Sequence, residues 1–460
     1  MKTPLLSVLL GLFLQLSTIP GASAEPAART QQPALEERID ALAAEQLAKP
    51  GGVGLSIAVA QKGKVLLEKG YGKADLEFDV PADEQTMFRI GSVTKQFTAA
   101  LVMRLVEQKK LALDDELAKF VPDFPLQGHK VTILQLLQHT SGVKSYTDVG
   151  EAWKKVWPLE LSDAELLALV KDAPFDFEPG SEWRYNNTGY YLLGMVLEKV
   201  AGKSYAEQLQ TEVCAPLGLA RTRYDSNRDL IRNRAQGYGL EGDKLVNDHI
   251  LGMRQPGAAG GIVSTAGDLV RWQMALTSGK VVKPESFAQM RTPGRLANGK
   301  ETHYGFGLQI DEWEGKPRVL HGGGIHGFNS MLLWLPGEDL HVAVISNGEP
   351  LSSKKLADAV SFAALGIEKP AARDEPIPAE LIARLVGDYV FAGLKLDSRI
   401  FEREGKLMVQ AKGQGAFRIL WQGGLEFRAE FDTDVKLVFA EDGKSLVLHQ
   451  GGRKAEGARK

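Results

Sequence analysis

The sequence predicts an α+β fold, in which one antiparallel sheet is flanked by helices and is followed by a small all-β barrel. Strand-like runs lie near the start, at 53–60 and 65–71, and again late in the chain, at 331–335 and 341–346. The stretch between them, 88–279, carries mainly helical and loop signals. We therefore expect the early and late strands to pair in one sheet, with a mainly helical subdomain packed beside it.

The elements of this domain can be justified in chain order. Apolar residues recur at helical spacing over 35–47, which indicates a first amphipathic helix. The letters "QKGK" at 61–64 separate the two early strands and predict a hairpin turn. A last helix is predicted over 352–365, after the late strands, and it looks solvated because two lysines lie near its start.

The amino-acid composition of the chain changes near residue 367. Residues 25–367 are predicted to form the α+β domain, and 368–380, rich in proline and charge, to form a linker. Residues 381–460 alternate short β-rich runs with glycine turns, which predicts a small β-barrel.

Residues 1–24 are predicted to be a cleavable secretory signal peptide. Lys2 gives a positive start, 5–16 is apolar, and Ala22-Ser23-Ala24 forms an A-x-A cleavage site before Glu25. The apolar run is shorter than the roughly 20 residues that a membrane span needs. The protein is therefore expected to be exported, either secreted or periplasmic, without a membrane anchor.

Composition narrows the function further. The 460 residues carry a formal charge of -3 and show no long basic run, so nucleic-acid binding is not expected. Cys214 is the one cysteine, which excludes an intramolecular disulfide, and its apolar neighbours predict a buried structural thiol.

The stretch "VLHGGGIHGF" at 319–328 allows three interpretations. A lipase-type oxyanion loop would need a later G-x-S-x-G elbow, and the chain contains none. A metal site is disfavoured because His321 and His326 lie five residues apart without a further ligand motif. The third interpretation is a strand edge in another class of serine hydrolase, which requires a nucleophile elsewhere.

Ser92 and Lys95 supply such a nucleophile and a base. Three residues apart, they share one face at the start of a predicted helix, so the amine can reach the hydroxyl. The spacing alone is weak evidence, since Ser141 with Lys144 and Ser352 with Lys355 also match S-x-x-K.

Two further motifs decide between these matches. Tyr185-x-Asn187 enters an apolar helix, and His321-Gly322-Gly323 precedes a strand. In this order the motifs resemble those of serine hydrolases of the class C β-lactamase, D-alanyl-D-alanine carboxypeptidase, D-aminopeptidase and esterase type, the peptidase S12 type. The stretches "LLQHTSGV", "FEPGSEWRYNNTGYYLLG" and "AAGGIVSTAGDLVRW" strengthen the resemblance, which spans about 35–365. The C-terminal part is similar to the lipocalin-like barrels appended to some members.

The resemblance implies a catalytic mechanism. Ser92 would be acylated, with Lys95 or Tyr185 as the base, and this choice stays open because both have a reference pKa of about 10. Asn187 would hold Lys95 and the substrate amide, and the backbone N–H groups of Ser92 and Gly324 would form the oxyanion hole. Gly323 and its neighbours would let a substrate lie along the strand edge. No metal or organic cofactor is expected.

The third motif departs from the usual K-T-G or K-S-G of β-lactamases and carboxypeptidases. His321 replaces the lysine, so recognition of a terminal carboxylate is expected to be weaker. We therefore favour a D-amino-acid-type peptidase or amidase acting on a small-molecule or peptide substrate. A carboxylesterase or β-lactamase of the same family is the alternative. A non-catalytic protein that binds penicillin or peptidoglycan is the alternative from another class.

Overall fold

The computed structural model describes residues 34–369, 372–394, 396–432, 435–450 and 453–460. The predicted signal peptide at 1–24 and its cleavage point lie outside the described residues. Within the described ranges, no helix is both long enough and apolar enough to cross a membrane.

The α-helices are numbered in chain order as α1 Leu35–Leu47, α2 Thr94–Glu107, α3 Ile133–Leu137, α4 Glu151–Lys154, α5 Asp163–Ala168, α6 Asn187–Ala201, α7 Tyr205–Gln208, α8 Ala215–Leu217, α9 Gly257–Gly260, α10 Ala266–Thr277, α11 Pro284–Met290, α12 Ser353–Leu365 and α13 Ala379–Leu385.

The strands of the α+β domain are β1 Gly54–Gln61, β2 Lys64–Asp75, β3 Val80–Pro81, β4 Phe88–Arg89, β5 Arg223–Tyr224, β6 Tyr238–Glu241, β7 Lys244–Asn247, β8 Ile262–Ser264, β9 Gln309–Trp313, β10 Lys316–Ile325, β11 Phe328–Leu335 and β12 Leu340–Ser346. The barrel strands are β13 Gly387–Phe391, β14 Leu396–Arg403, β15 Lys406–Ala411, β16 Ala416–Gly423, β17 Glu426–Ala429, β18 Lys436–Phe439, β19 Ser445–Gln450 and β20 Arg453–Arg459.

The main sheet is antiparallel, in the order β3-β2-β1-β12-β11-β10-β9. The predicted pairing of early with late strands is confirmed, because β1 lies between β2 and β12, with Ile57 opposite Val344. The sheet thus joins the two ends of the domain, and the helical segment between them packs against it.

Alternation along β1 explains why helices cover both faces of the sheet. Leu55, Ile57 and Val59 point to a core shared with α1 and α12, whereas Ala58 and Ala60 point to the core of the helical subdomain. Complete burial of a side chain such as Ile57 contributes about 1.5–3 kcal/mol. The small alanines let α10 approach the opposite face closely.

The nucleophile predicted from the sequence lies where this sheet meets the helical subdomain. Strand β4 pairs with β8, and Ile90 N–H continues the contact by donating to the Ile262 carbonyl at 3.0 Å. A 3-10 turn, Gly91–Val93, then leads directly into α2. Ser92 therefore lies just before the helix start, at its positive end.

The C-terminal strands β13–β20 form a closed antiparallel barrel, which confirms the predicted all-β unit. It has a hydrophobic core of its own, to which α13 contributes Leu381 and Leu385. Ion pairs between described residues join it to the α+β domain, among them Lys454–Glu312 at 3.4 Å and Lys355–Asp432 at 2.9 Å. A cavity of about 740 Å³ lies between the two domains.

Candidate active site

Ser92 and Lys95 meet as the S-x-x-K spacing predicts. Lys95 Nζ lies 3.2 Å from Ser92 Oγ, 2.8 Å from Asn187 Oδ1 and 2.8 Å from the carbonyl oxygen of Ala259. The two carbonyl-type oxygens can only accept hydrogen bonds. When Lys95 is a neutral amine, its two N–H groups donate to these two oxygens. The nitrogen lone pair is then directed at the Ser92 hydroxyl.

Burial favours this neutral state of Lys95. The side chain is fully buried, and removal from water lowers its pKa well below the usual 10.5. No carboxylate contacts Lys95 Nζ among its hydrogen-bond partners in the described residues. The amine is therefore suited to accept a proton from Ser92.

Tyr185 has the opposite tendency. Burial raises the pKa of its phenol above the usual 10, and the nearby Ser92 hydroxyl opposes this only in part. Within the described part of the chain, its Oη is buried without a hydrogen-bond partner of standard geometry. Lys95 Nζ lies over the ring, 4.7 Å from its centroid. Tyr185 thus stays protonated and is suited to donate a proton rather than to act as the base.

Asn187 is held by residues that the sequence motifs did not identify. Its backbone N–H donates to Ser145 Oγ at 3.1 Å, and its Nδ2 donates to Thr147 Oγ1 at 3.1 Å. These bonds fix the amide so that Oδ1 faces Lys95. Ser145 and Thr147 follow the "LLQHTSGV" stretch, which is the signal that could have located them.

His321 is neutral, and its tautomer is fixed. Its Nδ1 lies 2.6 Å from the Gly322 carbonyl oxygen, so Nδ1 carries the proton and donates it. Its Nε2 then accepts from Tyr304 Oη at 2.9 Å. Burial, together with the nearby Lys95, lowers the pKa of His321 to about 3. His321 therefore carries no positive charge at neutral pH.

The glycines of the third motif have different roles. A Cβ on Gly323 would lie 2.0 Å from the Ile90 carbonyl oxygen, so only glycine fits beside the segment that precedes Ser92. A Cβ on Gly324 would meet nothing within 4 Å. Gly91, at φ +48°, packs against the backbone of Gly324. The two predicted oxyanion-hole residues, Ser92 and Gly324, thus lie on backbone segments in direct contact.

The end of β10 also leaves one edge open. Strand β9 pairs with β10 over 316–320, whereas within the described ranges 321–325 have β11 as their one strand partner. The unpaired N–H and C=O groups of this segment can take an extended substrate as an additional strand.

His139 braces the loop that carries Tyr185. Its Nδ1 accepts a hydrogen bond from the backbone N–H of Asn186, the residue that caps α6. Its ring packs 4.5 Å from that of Tyr185, centroid to centroid. His139 adopts a positive φ of 60°, which lets the chain turn sharply after α3.

Three further residues, Thr265, Cys214 and Lys144, have structural positions. Thr265 Oγ1 accepts from Asp268 N–H at 3.1 Å and caps α10. Cys214 is buried, and burial raises the pKa of its thiol to about 12. Lys144, of the second S-x-x-K match, pairs with Asp176 at 2.9 Å.

A cavity of about 430 Å³ brings Ser92, Tyr185, His321, Gly323 and Gly324 together. The prediction that the lysine-rich helix at 352–365 is solvated was wrong. Ser352 and Lys354 line the same cavity, and the other face of α12 packs Leu356 and Val360 against the sheet.

Comparison with known proteins agrees with this geometry. The family model described as "Beta-lactamase" matches residues 39–365, most of the chain. The chain belongs to the β-lactamase family. This confirms the resemblance inferred from the three motifs.

Three members of the wider set of relatives are informative. Penicillin-binding protein 4* of Bacillus subtilis is 28% identical, over 88% of this chain and 94% of that protein. The D-aminopeptidase of Gluconobacter oxydans is 28% identical, over 80% of this chain and 67% of that protein. The solved D-stereospecific amidohydrolase of Streptomyces sp. is 25% identical with a TM-score of 0.62, covering 73% of this chain and all of that one (100%). The chain is thus similar to hydrolases of the β-lactamase family.

Proposed function

We propose that the protein is an exported serine hydrolase that forms an acyl-Ser92 intermediate, and that it is a D-amino-acid-type peptidase or amidase. One observation carries the serine mechanism: buried Lys95 has both N–H directions taken by Asn187 Oδ1 and the Ala259 carbonyl, with Ser92 Oγ 3.2 Å away. Such an amine is a base positioned against a nucleophile.

Acylation follows from these positions. Ser92 Oγ attacks the substrate carbonyl carbon as its proton passes to Lys95 Nζ, and the backbone N–H groups of Ser92 and Gly324 stabilise the tetrahedral oxyanion. The carbon–nitrogen bond then breaks. The leaving nitrogen takes the proton of Tyr185 Oη, and Lys95 returns a proton to Tyr185.

Deacylation uses the same base, with water as the nucleophile and Ser92 as the leaving group. Water replaces the leaving group and attacks the acyl carbonyl, giving its proton to the neutral Lys95. The bond between the acyl carbon and Ser92 Oγ breaks, and the serine oxygen regains a proton from Lys95. The acid is released, and the starting state is restored without a cofactor.

The preference for D-aminoacyl substrates rests on the relatives. A D-aminopeptidase and a D-stereospecific amidohydrolase match this chain over most of its length. A carboxylesterase or β-lactamase activity is the alternative within the family, since EstCE1, described as a hydrolase with promiscuous acyltransferase activity, shares the fold at 25% identity and a TM-score of 0.61.

Covalent labelling tests the mechanism. Intact-mass spectrometry of the wild type with a fluorophosphonate is expected to show one adduct that is absent from Ser92→Ala. Ser141→Ala, which alters another S-x-x-K serine, serves as the matched control and should label like the wild type. An adduct of equal extent on Ser92→Ala would refute the assignment of the nucleophile.

Turnover tests the substrate class. We expect D-aminoacyl amides to be hydrolysed with a higher kcat/KM than their L-enantiomers, p-nitrophenyl esters or a penicillin. Faster turnover of the esters or of penicillin would replace the proposed peptidase or amidase by the alternative activities. Stoichiometric acylation by penicillin without turnover of any substrate would instead indicate a binding protein.

A further inference from the structure

Exposed apolar side chains concentrate on one region of the α+β domain. In the described ranges, more than half of the exposed large apolar residues belong to it, namely Leu76, Phe78, Val80, Leu159, Leu230 and Ile250. Phe78 is 81% exposed, Ile250 69% and Leu230 99%. A single exposed apolar residue is ordinary on a protein surface, whereas a concentration of them indicates an interaction site.

Hydrogen bonds hold the β2–β3 hairpin against the segment that carries Ile250. The backbone N–H of Leu76 donates to Tyr238 Oη at 2.7 Å, and Asn247 Nδ2 donates to Glu77 Oε1 at 3.0 Å. The hairpin therefore lies beside the end of β7, just before Ile250.

The loop that carries Leu230 is bonded to the same neighbourhood. Asn227 Nδ2 donates to the Leu251 carbonyl at 2.7 Å and to Glu160 Oε1 at 3.1 Å. The backbone N–H of Met87, just after the hairpin, donates to the Asn233 carbonyl at 2.7 Å. We call these adjoining segments, 75–80, 157–160, 226–234 and 247–251, the hairpin–loop surface.

The hairpin–loop surface carries unpaired charges of opposite sign at different places. On the hairpin, Glu77 is exposed, and in the described part of the chain its carboxylate faces an amide and no cation. On the loop, Arg228 and Arg232 flank Leu230, are exposed, and have no carboxylate partner among the described residues. The hairpin can thus accept a cation, and the loop can accept an anion.

A second copy of this chain fits such a surface. In a dimer with two-fold symmetry the same patch lies on both subunits, so the patch must be complementary to itself. The acidic hairpin of one copy can then meet the basic loop of the other at two equivalent contacts, with the apolar side chains between them. An anionic lipid surface fits less well, because it would attract the loop and repel the hairpin.

We propose that the protein forms a two-fold symmetric dimer through the hairpin–loop surface, in which Phe78, Leu230 and Ile250 are buried and Glu77 of each copy faces Arg232 of the other. Burial of the apolar side chains supplies most of the affinity, and the charge pairs set the orientation of the two copies. The inference does not depend on which substrate the active site takes.

Sedimentation equilibrium of the full chain tests the association. The wild type is expected to show a mass that rises with concentration toward that of two chains. Phe78→Ser combined with Leu230→Ser should raise the dimer dissociation constant at least about tenfold. Phe431→Ser, which alters an exposed phenylalanine on the barrel, is the matched control and should leave the constant unchanged. A wild type that stays monomeric at micromolar concentration, or a dimer that the double substitution does not weaken, would overturn the proposal.

A charge swap tests which segments meet. Glu77→Arg and Arg232→Glu should each weaken their own homodimer, because like charges then face each other at both contacts. When the two variants are mixed in equal amounts, opposite charges face each other again, so a heterodimer should form with about the wild-type affinity. Circular dichroism checks that each variant is folded. Folded variants that dimerise as the wild type does, or a mixture that fails to recover the dimer, would contradict the proposed contacts. Co-sedimentation of a monomeric wild type with phosphatidylglycerol vesicles would assign the surface to a membrane and refute the dimer.

Discussion

Lys95 shows how one residue acquires its chemistry from its surroundings. A lysine in water holds its proton at every physiological pH. Here the side chain is buried among Asn187, the Ala259 carbonyl and the rings of Tyr185 and Tyr190. None of these groups carries a negative charge to balance an ammonium at neutral pH. The environment therefore selects the neutral amine.

The pH dependence of activity follows from this selection. Activity should fall as pH decreases through the pKa of Lys95, which burial places well below 10.5, because the base must be unprotonated. Tyr185 has a raised pKa and should produce no alkaline limb below about pH 10. The measurement is kcat/KM between about pH 4 and about pH 10, the two limits being roughly the values at which free carboxyl and phenol groups titrate.

His321→Asn provides the control for that profile. The pKa of His321 is lowered to about 3, so this imidazole is already neutral across the range, and the acid limb should stay where it is in the variant. An acid limb near pH 6 to 7, roughly the ordinary histidine range, that disappears in His321→Asn would contradict the assignment of Lys95.

At this scale the sequence pointed to the four residues that lie together in the candidate site, but not to their protonation. S-x-x-K and Y-x-N spacing placed Ser92, Lys95, Tyr185 and Asn187 in one site. Their spacing could not decide the base, because a pKa depends on burial that comes from distant segments such as the one carrying Ala259. Tyr304, which donates to His321 Nε2, was missed because it lies in irregular chain without a motif.

At the scale of elements, strand β10 contains neighbouring glycines that are needed for different reasons. The sequence alone does not distinguish these reasons. Gly323 needs to be glycine because the chain before Ser92 passes against it, and Gly324 borders open space. The sequence predicts that the three glycines admit a substrate and that Gly324 donates an oxyanion-hole N–H, but it does not predict a packing role. The close contact with Ile90 arises from tertiary packing, which a single sequence does not show.

Substituting these glycines separates the two roles. Gly323→Ala is expected to lower the free energy of unfolding by about 1–3 kcal/mol, the usual effect of overpacking, because its Cβ would overlap the Ile90 carbonyl. It should also slow fluorophosphonate labelling by displacing Gly91 and Ser92. Thermal or urea unfolding and the labelling rate are the measurements.

The matched control is Gly324→Ala. Its Cβ would meet nothing within 4 Å, so its stability should stay within about 0.5 kcal/mol of the wild type. Equal destabilisation by the two substitutions would show that crowding against Ile90 is not what selects glycine at residue 323.

Local patterns predicted other elements well. The "QKGK" turn places Lys62 and Gly63 at positive φ between β1 and β2, as a tight hairpin requires. The solvated interpretation of α12 failed because its lysines were counted without the apolar residues that follow them. Leu356 and Val360 bury one side of that helix and turn its first turn toward the cavity.

For the whole molecule, the two domains have separate hydrophobic cores. The barrel core is formed by its own strands and α13, and the sheet and helices of the α+β domain enclose two others. Between the domains, Lys454 and Glu312 are both more than half exposed, whereas in the Lys355–Asp432 pair only Lys355 is. Exposed pairs contribute about 0–1 kcal/mol each, so we expect the coupling between the domains to be weak.

Weak coupling predicts two unfolding transitions. Differential scanning calorimetry of the full chain is expected to resolve the barrel and the α+β domain as separate peaks, and added salt should change their spacing by screening the ion pairs. A single peak whose calorimetric and van't Hoff enthalpies agree would instead show one cooperative unit.

The open edge of β10 has a further consequence for how copies of this protein meet each other. Unpaired backbone groups on an extended strand can hydrogen-bond to the same strand of a second molecule, the first step of edge-to-edge aggregation. In 321–325 this hazard is limited, because three of the five residues are glycine, which has low β-propensity. The motif that leaves room for a substrate thus also keeps the strand a poor template for self-association.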